Sequence, residues 1–290
     1  MGAPLRFSIC NEVFGDTPFA SSCAIAKGIG YDGIEIAPFT LAEDPARIPA
    51  HRQSEFRQIM ADHGLRFAGL HWLMAAPKGL HVTTADRGLR ERSWEHVRHL
   101  IDLAAALATP GTKERPVLVF GSPQQRNATG ETTPQEATQI FTEELARVAP
   151  RAAAARVRIL VEALPRNQSN IINRLDEAVA IVEQIGSPAV GTMFDTHNAV
   201  DETEPHADLI RRRIRYIDHV HVNEIDGREP GTGSYDFSSI LNALNQMGYA
   251  RWISLEVFDF SRGAEAIARG SLEYLKRLPG NTYTAPDKHG

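Results

Sequence analysis

Cysteine is almost missing from this chain. Cys10 and Cys23 are the only two in 290 residues, too few for a disulfide framework, and the start Met1-Gly2-Ala3-Pro4-Leu5-Arg6 lacks the apolar stretch of a secretion signal. A reduced cytoplasm is the compartment expected. No window approaches the ~18 consecutive apolar residues that cross a bilayer, so no membrane partner is expected. Basic charge is not in excess: 31 Lys and Arg stand against 36 Asp and Glu, a net charge of −5. That is the wrong sign for tracking a phosphate backbone, and nucleic acid is not expected as a partner. Short-period repeats and low-complexity tracts are also lacking. The 42% apolar and 23% charged residues are those of a globular protein with a large core.

Eight short apolar runs rich in Val, Ile and Phe are present, at 5–10, 33–37, 66–73, 116–120, 157–162, 190–195, 217–222 and 252–257. Each has the length and composition of a buried strand. Most of the intervals between them carry a helical period, the alternation that a parallel sheet requires. After Asp86, for example, Trp94, Val97, Ile101, Ala104 and Ala108 fall on one helical face. Thr133-Pro134-Gln135-Glu136 reads as a capping box with Pro at the first helical position. Asp236 is placed to cap a helix carrying Ile240, Leu241, Leu244 and Met247, with Gly248 to stop it.

A single α/β domain at 1–278, a closed (β/α)8 TIM barrel, is therefore expected, followed by a Gly, Asn, Thr and Pro-containing tail at 279–290. A nucleotide-binding open sheet would carry a Gly-rich turn after its first strand, and Asn11-Glu12-Val13-Phe14-Gly15 is not one.

Four of the later runs end in groups that can bind a metal: Glu162, Asp195, His221 and Glu256, spaced 33, 26 and 35 positions apart. Strand ends in a barrel converge on one mouth, so these side chains can meet there. A charged group closing an apolar strand is costly unless it is paired or metal-bound. Three carboxylates brought together would repel one another without a cation, and the oxygen-rich set suits Mn²⁺ first, with Mg²⁺, Co²⁺ or Zn²⁺ as alternatives.

The segments Val161-Glu162-Ala163-Leu164-Pro165-Arg166, Phe194-Asp195-Thr196-His197, His219-Val220-His221-Val222-Asn223-Glu224 with Pro230-Gly231-Thr232-Gly233, and Leu255-Glu256-Val257-Phe258 carry a resemblance. Together they resemble the sugar phosphate isomerase/epimerase family of xylose-isomerase-like barrels, which includes ketose 3-epimerases and hydroxypyruvate isomerase. The likeness runs from Phe7 to about Leu278. It implies that Glu162, Asp195, His221 and Glu256 hold one divalent ion, and that Glu162 and Glu256 also transfer protons through a metal-stabilised enediolate. The sequence departs from the ketose-epimerase pattern at three points. Gln168 stands where a second acid is expected, Asn198 where a histidine follows the aspartate by three, and Arg228 lies seven positions past His221.

The expected activity is isomerisation or epimerisation of a small keto sugar or sugar phosphate. A lyase or dehydratase acting on a 3-keto sugar or inositol derivative is the main alternative. An endonuclease IV-like enzyme and a non-catalytic sugar-binding subunit are less favoured. His71, Arg126, His197 and Arg228 are expected to contact substrate, Arg126 by gripping a phosphate or carboxylate. His219 is expected on the opposite side of its strand from His221, packed or hydrogen-bonded, and Glu35 is read as binding substrate hydroxyls or, by slight preference, as one half of a buried ion pair. Helix faces on the barrel exterior could pack a second copy of the chain.

Overall fold

The computed structural model describes residues 5–279. Eight strands follow one another around a closed parallel barrel: β1 (Arg6–Cys10), β2 (Gly33–Ile36), β3 (Arg66–Leu70), β4 (Val117–Phe120), β5 (Arg158–Val161), β6 (Val190–Asp195), β7 (Ile217–Val222) and β8 (Trp252–Leu255). The barrel closes where β8 returns to β1, with Ile9 opposite Leu255. The strands are buried along nearly their whole length, as a sheet covered on both faces requires.

The covering helices are α1 (Phe19–Ile29), α2 (Ala50–Asp62), α3 (Arg87–Leu107), the single turn α4 (Pro123–Arg126), α5 (Pro134–Ala155), α6 (Leu175–Ile185), α7 (His206–Arg213), α8 (Phe237–Gln246) and α9 (Ala264–Arg277). Their ends are set locally. Asp86 accepts hydrogen bonds from the amides of Gly88 and Leu89 at the start of α3, at 2.8 and 3.0 Å. Thr133 and Glu136 form the reciprocal capping box of α5, and Asp236 accepts from the Ser239 amide at the start of α8. The expected periodic residues Trp94, Val97, Ile101 and Ala104 are all buried, whereas Met247 lies beyond the last turn of α8 and is exposed.

Between helices and barrel, Trp94 of α3, Phe120 of β4 and Phe141 of α5 form a mutually contacting aromatic trio with centroids 5.1 to 5.9 Å apart. This trio ties two helices to the strand whose C-terminal end opens onto the site.

The inside of the barrel departs from one expectation. His219 and His221 lie on the same side of β7, because residues two apart on a strand share a face, and both reach the carboxylate of Glu35 on β2. Glu35 thus forms the expected buried pair, with two imidazoles. Pairing irregularities fall at Ile34/Glu35 on β2 and at Thr192/Phe194 on β6, next to Glu35 and Asp195. The tail expected at 279–290 lies outside the described residues from Gly280 onward.

Candidate metal centre and active-site cavity

Four consecutive strands deliver the cluster. Asp195 is the last residue of β6 and sits in register opposite His221 of β7; Glu162 and Glu256 each follow the final residue of β5 and β8. One ligand atom from each of the four comes within 4.8 Å of all the others, and all four side chains are buried. Gly121, just past β4, makes room for this: a Cβ there would lie 2.1 Å from Glu162 Oε2. Asn198 donates from one amide to Glu162 Oε1 (3.0 Å) and Asp195 Oδ2 (2.8 Å). The His197 amide donates to Asp195 Oδ1 at 2.8 Å, and the Trp72 indole N–H donates to Glu256 Oε1 at 2.9 Å.

The electrostatics are those of a site short of positive charge. Burial, then repulsion from Asp195 and Glu256, pushes the Glu162 carboxyl up to about 8. Burial and the charge of Glu256 push Asp195 up to about 7. Burial also acts to raise Glu256, but the attraction of the close His221 imidazole outweighs it and holds Glu256 below the usual carboxylate range. Burial disfavours charge on His221 as well, yet Glu35 and Glu256 raise it well above an ordinary histidine. His221 Nδ1 lies 2.9 Å from Glu256 Oε2 and 4.0 Å from Asp195 Oδ2, without a hydrogen bond of acceptable geometry. A crowded, buried set of three carboxylates and one imidazole nitrogen lacking an aligned partner fits a hard divalent cation.

The cluster forms one wall of a cavity of about 460 Å³, lined by His71, Trp72, Lys78, Ser122, Gln125, Glu162, Gln168, His197, Asn198, Glu256 and Phe258 among others, a size suited to a small molecule. Two of the four expected substrate contacts line it. His71 is buried, with Nε2 donating to Glu12 Oε2 at 2.9 Å. His197 faces the space with its Nδ1 unpartnered and its ring 5.0 Å from Phe258.

The other two do not line the cavity. Arg126 is fully buried behind the strand ends, donating to the carbonyls of Phe120 (2.9 Å) and Glu162 (2.8 Å). Arg126 therefore braces the backbone that carries Glu162 instead of gripping an anion, and burial draws its pKa down to about 10. Arg228 forks onto Asp226, with Nε and Nη2 each 2.8 Å from Oδ2; it is Asp226 that reaches the cavity rim.

Trp72 adopts a left-handed backbone (φ 51°) and is 46% exposed at the mouth, an unusual conformation for so bulky a residue. Gln168 donates to Asn198 Oδ1 at 3.1 Å, so two of the three departures noted in the sequence touch one another beside Glu162. The Pro230-Gly231-Thr232-Gly233 segment is pinned by the buried Glu224, whose carboxylate accepts from the amides of Gly231 and Tyr235 at 2.9 and 3.1 Å. That fixes the path of the loop after β7. The spacing of Asn198, three past Asp195, was the one signal that could have marked it as a site residue.

A closed eight-stranded barrel thus carries an acidic, imidazole-bearing cluster at its C-terminal mouth, and comparison with known proteins narrows the class to which it belongs. The profile of the xylose isomerase-like TIM barrel family matches residues 23–278, and the chain belongs to that family. It is 30% identical over 235 residues to an L-ribulose 3-epimerase of Mesorhizobium japonicum, covering 81% of this chain and 74% of that protein. It is 25% identical to a ketose 3-epimerase of Arthrobacter globiformis, covering 84% and 82%. The fold superposes with a TM-score of 0.81 on a D-psicose 3-epimerase crystallised in the presence of D-fructose, at 18% identity over 95% of this chain and 100% of that one. Among the described residues no helix is long and apolar enough to cross a membrane.

Proposed function

We propose that this chain is a divalent-metal-dependent isomerase or epimerase that moves a proton at the carbon beside the carbonyl of a small keto sugar or sugar phosphate. The observation that carries the reading is that Glu162 and Glu256, from strands β5 and β8, line one cavity with oxygens within 4.8 Å of each other. The relatives named as ketose and L-ribulose 3-epimerases support carbon 3 of a ketose as the reacting centre.

Glu162, Asp195, His221 and Glu256 would hold the ion, for which Mn²⁺ is taken from among the hard cations that this donor set suits, and it would supply the positive charge that stabilises the substrate's developing oxyanion. The side chains do the proton transfer. Glu256, kept ionised beside His221 and steadied by the Trp72 N–H, is the group disposed to accept a proton. Glu162, which lines the same cavity from the end of β5, is the group disposed to give one back. Return to the same carbon from the other face is epimerisation; return to the neighbouring carbon is isomerisation. His197, with an unpartnered nitrogen in the cavity, and Gln168 are placed to bond substrate hydroxyls.

Glu162→Gln and Glu256→Gln keep side-chain size while removing the base. Each is expected to lower the ketose turnover rate by at least about a hundredfold, the usual scale of general acid–base catalysis. Wild-type turnover in D₂O should place deuterium beside the carbonyl. Near-normal rates in both variants, or efficient turnover without solvent label, would oppose the assignment.

A further inference from the structure

Behind the four cluster residues, inside the barrel, lies a second and fully buried polar group that the proton-transfer scheme does not use. Glu35 of β2 has no exposed surface. Its Oε2 accepts from His219 Nε2 at 2.7 Å and its Oε1 from His221 Nε2 at 3.1 Å. A third imidazole, His71, stands 3.5 Å from Oε1 through Nδ1. Both oxygens of one carboxylate are therefore engaged, in a place where an isolated charge would be prohibitively costly. On the other edge of the His221 ring, Nδ1 points among Glu256 and Asp195. The ring spans the two groups, one nitrogen toward each.

A neutral imidazole carries its proton on one nitrogen and a lone pair on the other, and whichever nitrogen donates leaves its partner as the ligand. A carboxylate can only accept, so His221 Nε2 must carry the proton. We infer that Glu35 is a positioning residue that fixes the ring orientation and tautomer of His221, so that Nδ1 presents its lone pair to the cluster of Glu162, Asp195 and Glu256. His219 occupies the second oxygen and prevents the carboxylate from rotating away. The pair of histidines on one strand face thus divides into one ring that faces the cluster and one that braces the brace. A negative group behind the ring also makes Nδ1 a better donor, as the carboxylate-supported histidines of metal sites do. This inference rests on the metal reading of the four cluster residues.

The test titrates Mn²⁺ into metal-free wild type, Glu35→Met and Glu35→Gln, following heat of binding, and records the thermal transition of each metal-free protein. Glu35→Met removes the acceptor and the charge, and Mn²⁺ affinity should fall about 100-fold. Glu35→Gln keeps one carbonyl oxygen for His221 but loses the charge and the acceptor for His219, so a smaller loss of about tenfold is expected. If Glu35→Met does not fold, Glu35→Gln decides. Affinity within about twofold of wild type in a folded Glu35→Gln protein, whether or not its melting temperature has dropped, would overturn the inference, because a purely structural role moves stability and leaves metal affinity alone. Wild type that takes up no Mn²⁺ would instead overturn the metal reading beneath it.

Discussion

Metal uptake at this site should depend steeply on pH, because an ion can take only those ligands that have released their protons. Glu162 is held at about 8 and Asp195 at about 7 by burial and by their carboxylate neighbours. Moving from about pH 8 to about pH 6 therefore protonates both, at a factor of ten per unit below each value, and weakens the apparent affinity on the order of 500-fold, about 4 kcal/mol. Carboxylates with ordinary values near 4 would change affinity by less than about twofold over that range. His221, raised by Glu35 and Glu256 despite its burial, adds to the effect in the same direction, since Nδ1 must be free of a proton.

Calorimetric Mn²⁺ titrations at about pH 8, 7 and 6, in buffers of different ionisation enthalpy, read both the affinity and the protons released. A change of less than about tenfold across the range, without proton release, would refute the reasoning. The same shift governs the metal-free fold. Folded Glu162 keeps its proton up to about 8 whereas its ordinary value is 4.5. The resulting stabilisation is complete below the lower value and is lost as pH rises through the upper one, by an amount on the order of 5 kcal/mol. Urea unfolding of chelated protein should show that decline, and Mn²⁺-loaded protein should not.

Gly121→Ala places a methyl group 2.1 Å from the present position of Glu162 Oε2, so the carboxylate must swing out of the cluster; Mn²⁺ affinity and turnover should both fall at least about tenfold, the lower end of what a displaced ligand costs, while circular dichroism stays that of the wild type. Phe141→Ala empties the centre of the Trp94–Phe120–Phe141 trio and should destabilise the fold by about 3–5 kcal/mol, measurable as a lowered urea midpoint; a loss under about 1 kcal/mol would mean that the trio does not tie α3 and α5 to β4.

Much of this protein is legible from local signals. Eight apolar runs separated by helical periods define the barrel, because each strand is buried on both faces and shows as a short hydrophobic block. The capping box at Thr133 and the N-cap at Asp236 are fixed within four residues of chain. Glu162, Asp195, His221 and Glu256 stand out for the same reason: a charge that closes an apolar strand is conspicuous, and barrel closure dictates that such ends meet.

The tertiary structure alone decided which polar groups face which. Trp72 reaches Glu256 across 184 positions, and His219 and His221 reach Glu35 across 184 and 186. No pattern in a single strand encodes such pairs, since they arise from the stagger of strands around the barrel. Arg126 and Arg228 show the other side of that limit. An arginine past a strand end reads as a gripping cation, but whether its guanidinium meets a ligand, a buried carbonyl or a neighbouring aspartate depends on the path of the loop. Here the turn of α4 folds Arg126 back onto the Phe120 and Glu162 carbonyls, and the loop after β7 gives Arg228 to Asp226. Backbone periodicity specifies the scaffold, whereas the direction of a loop side chain is set by contacts that exist only once the barrel has closed.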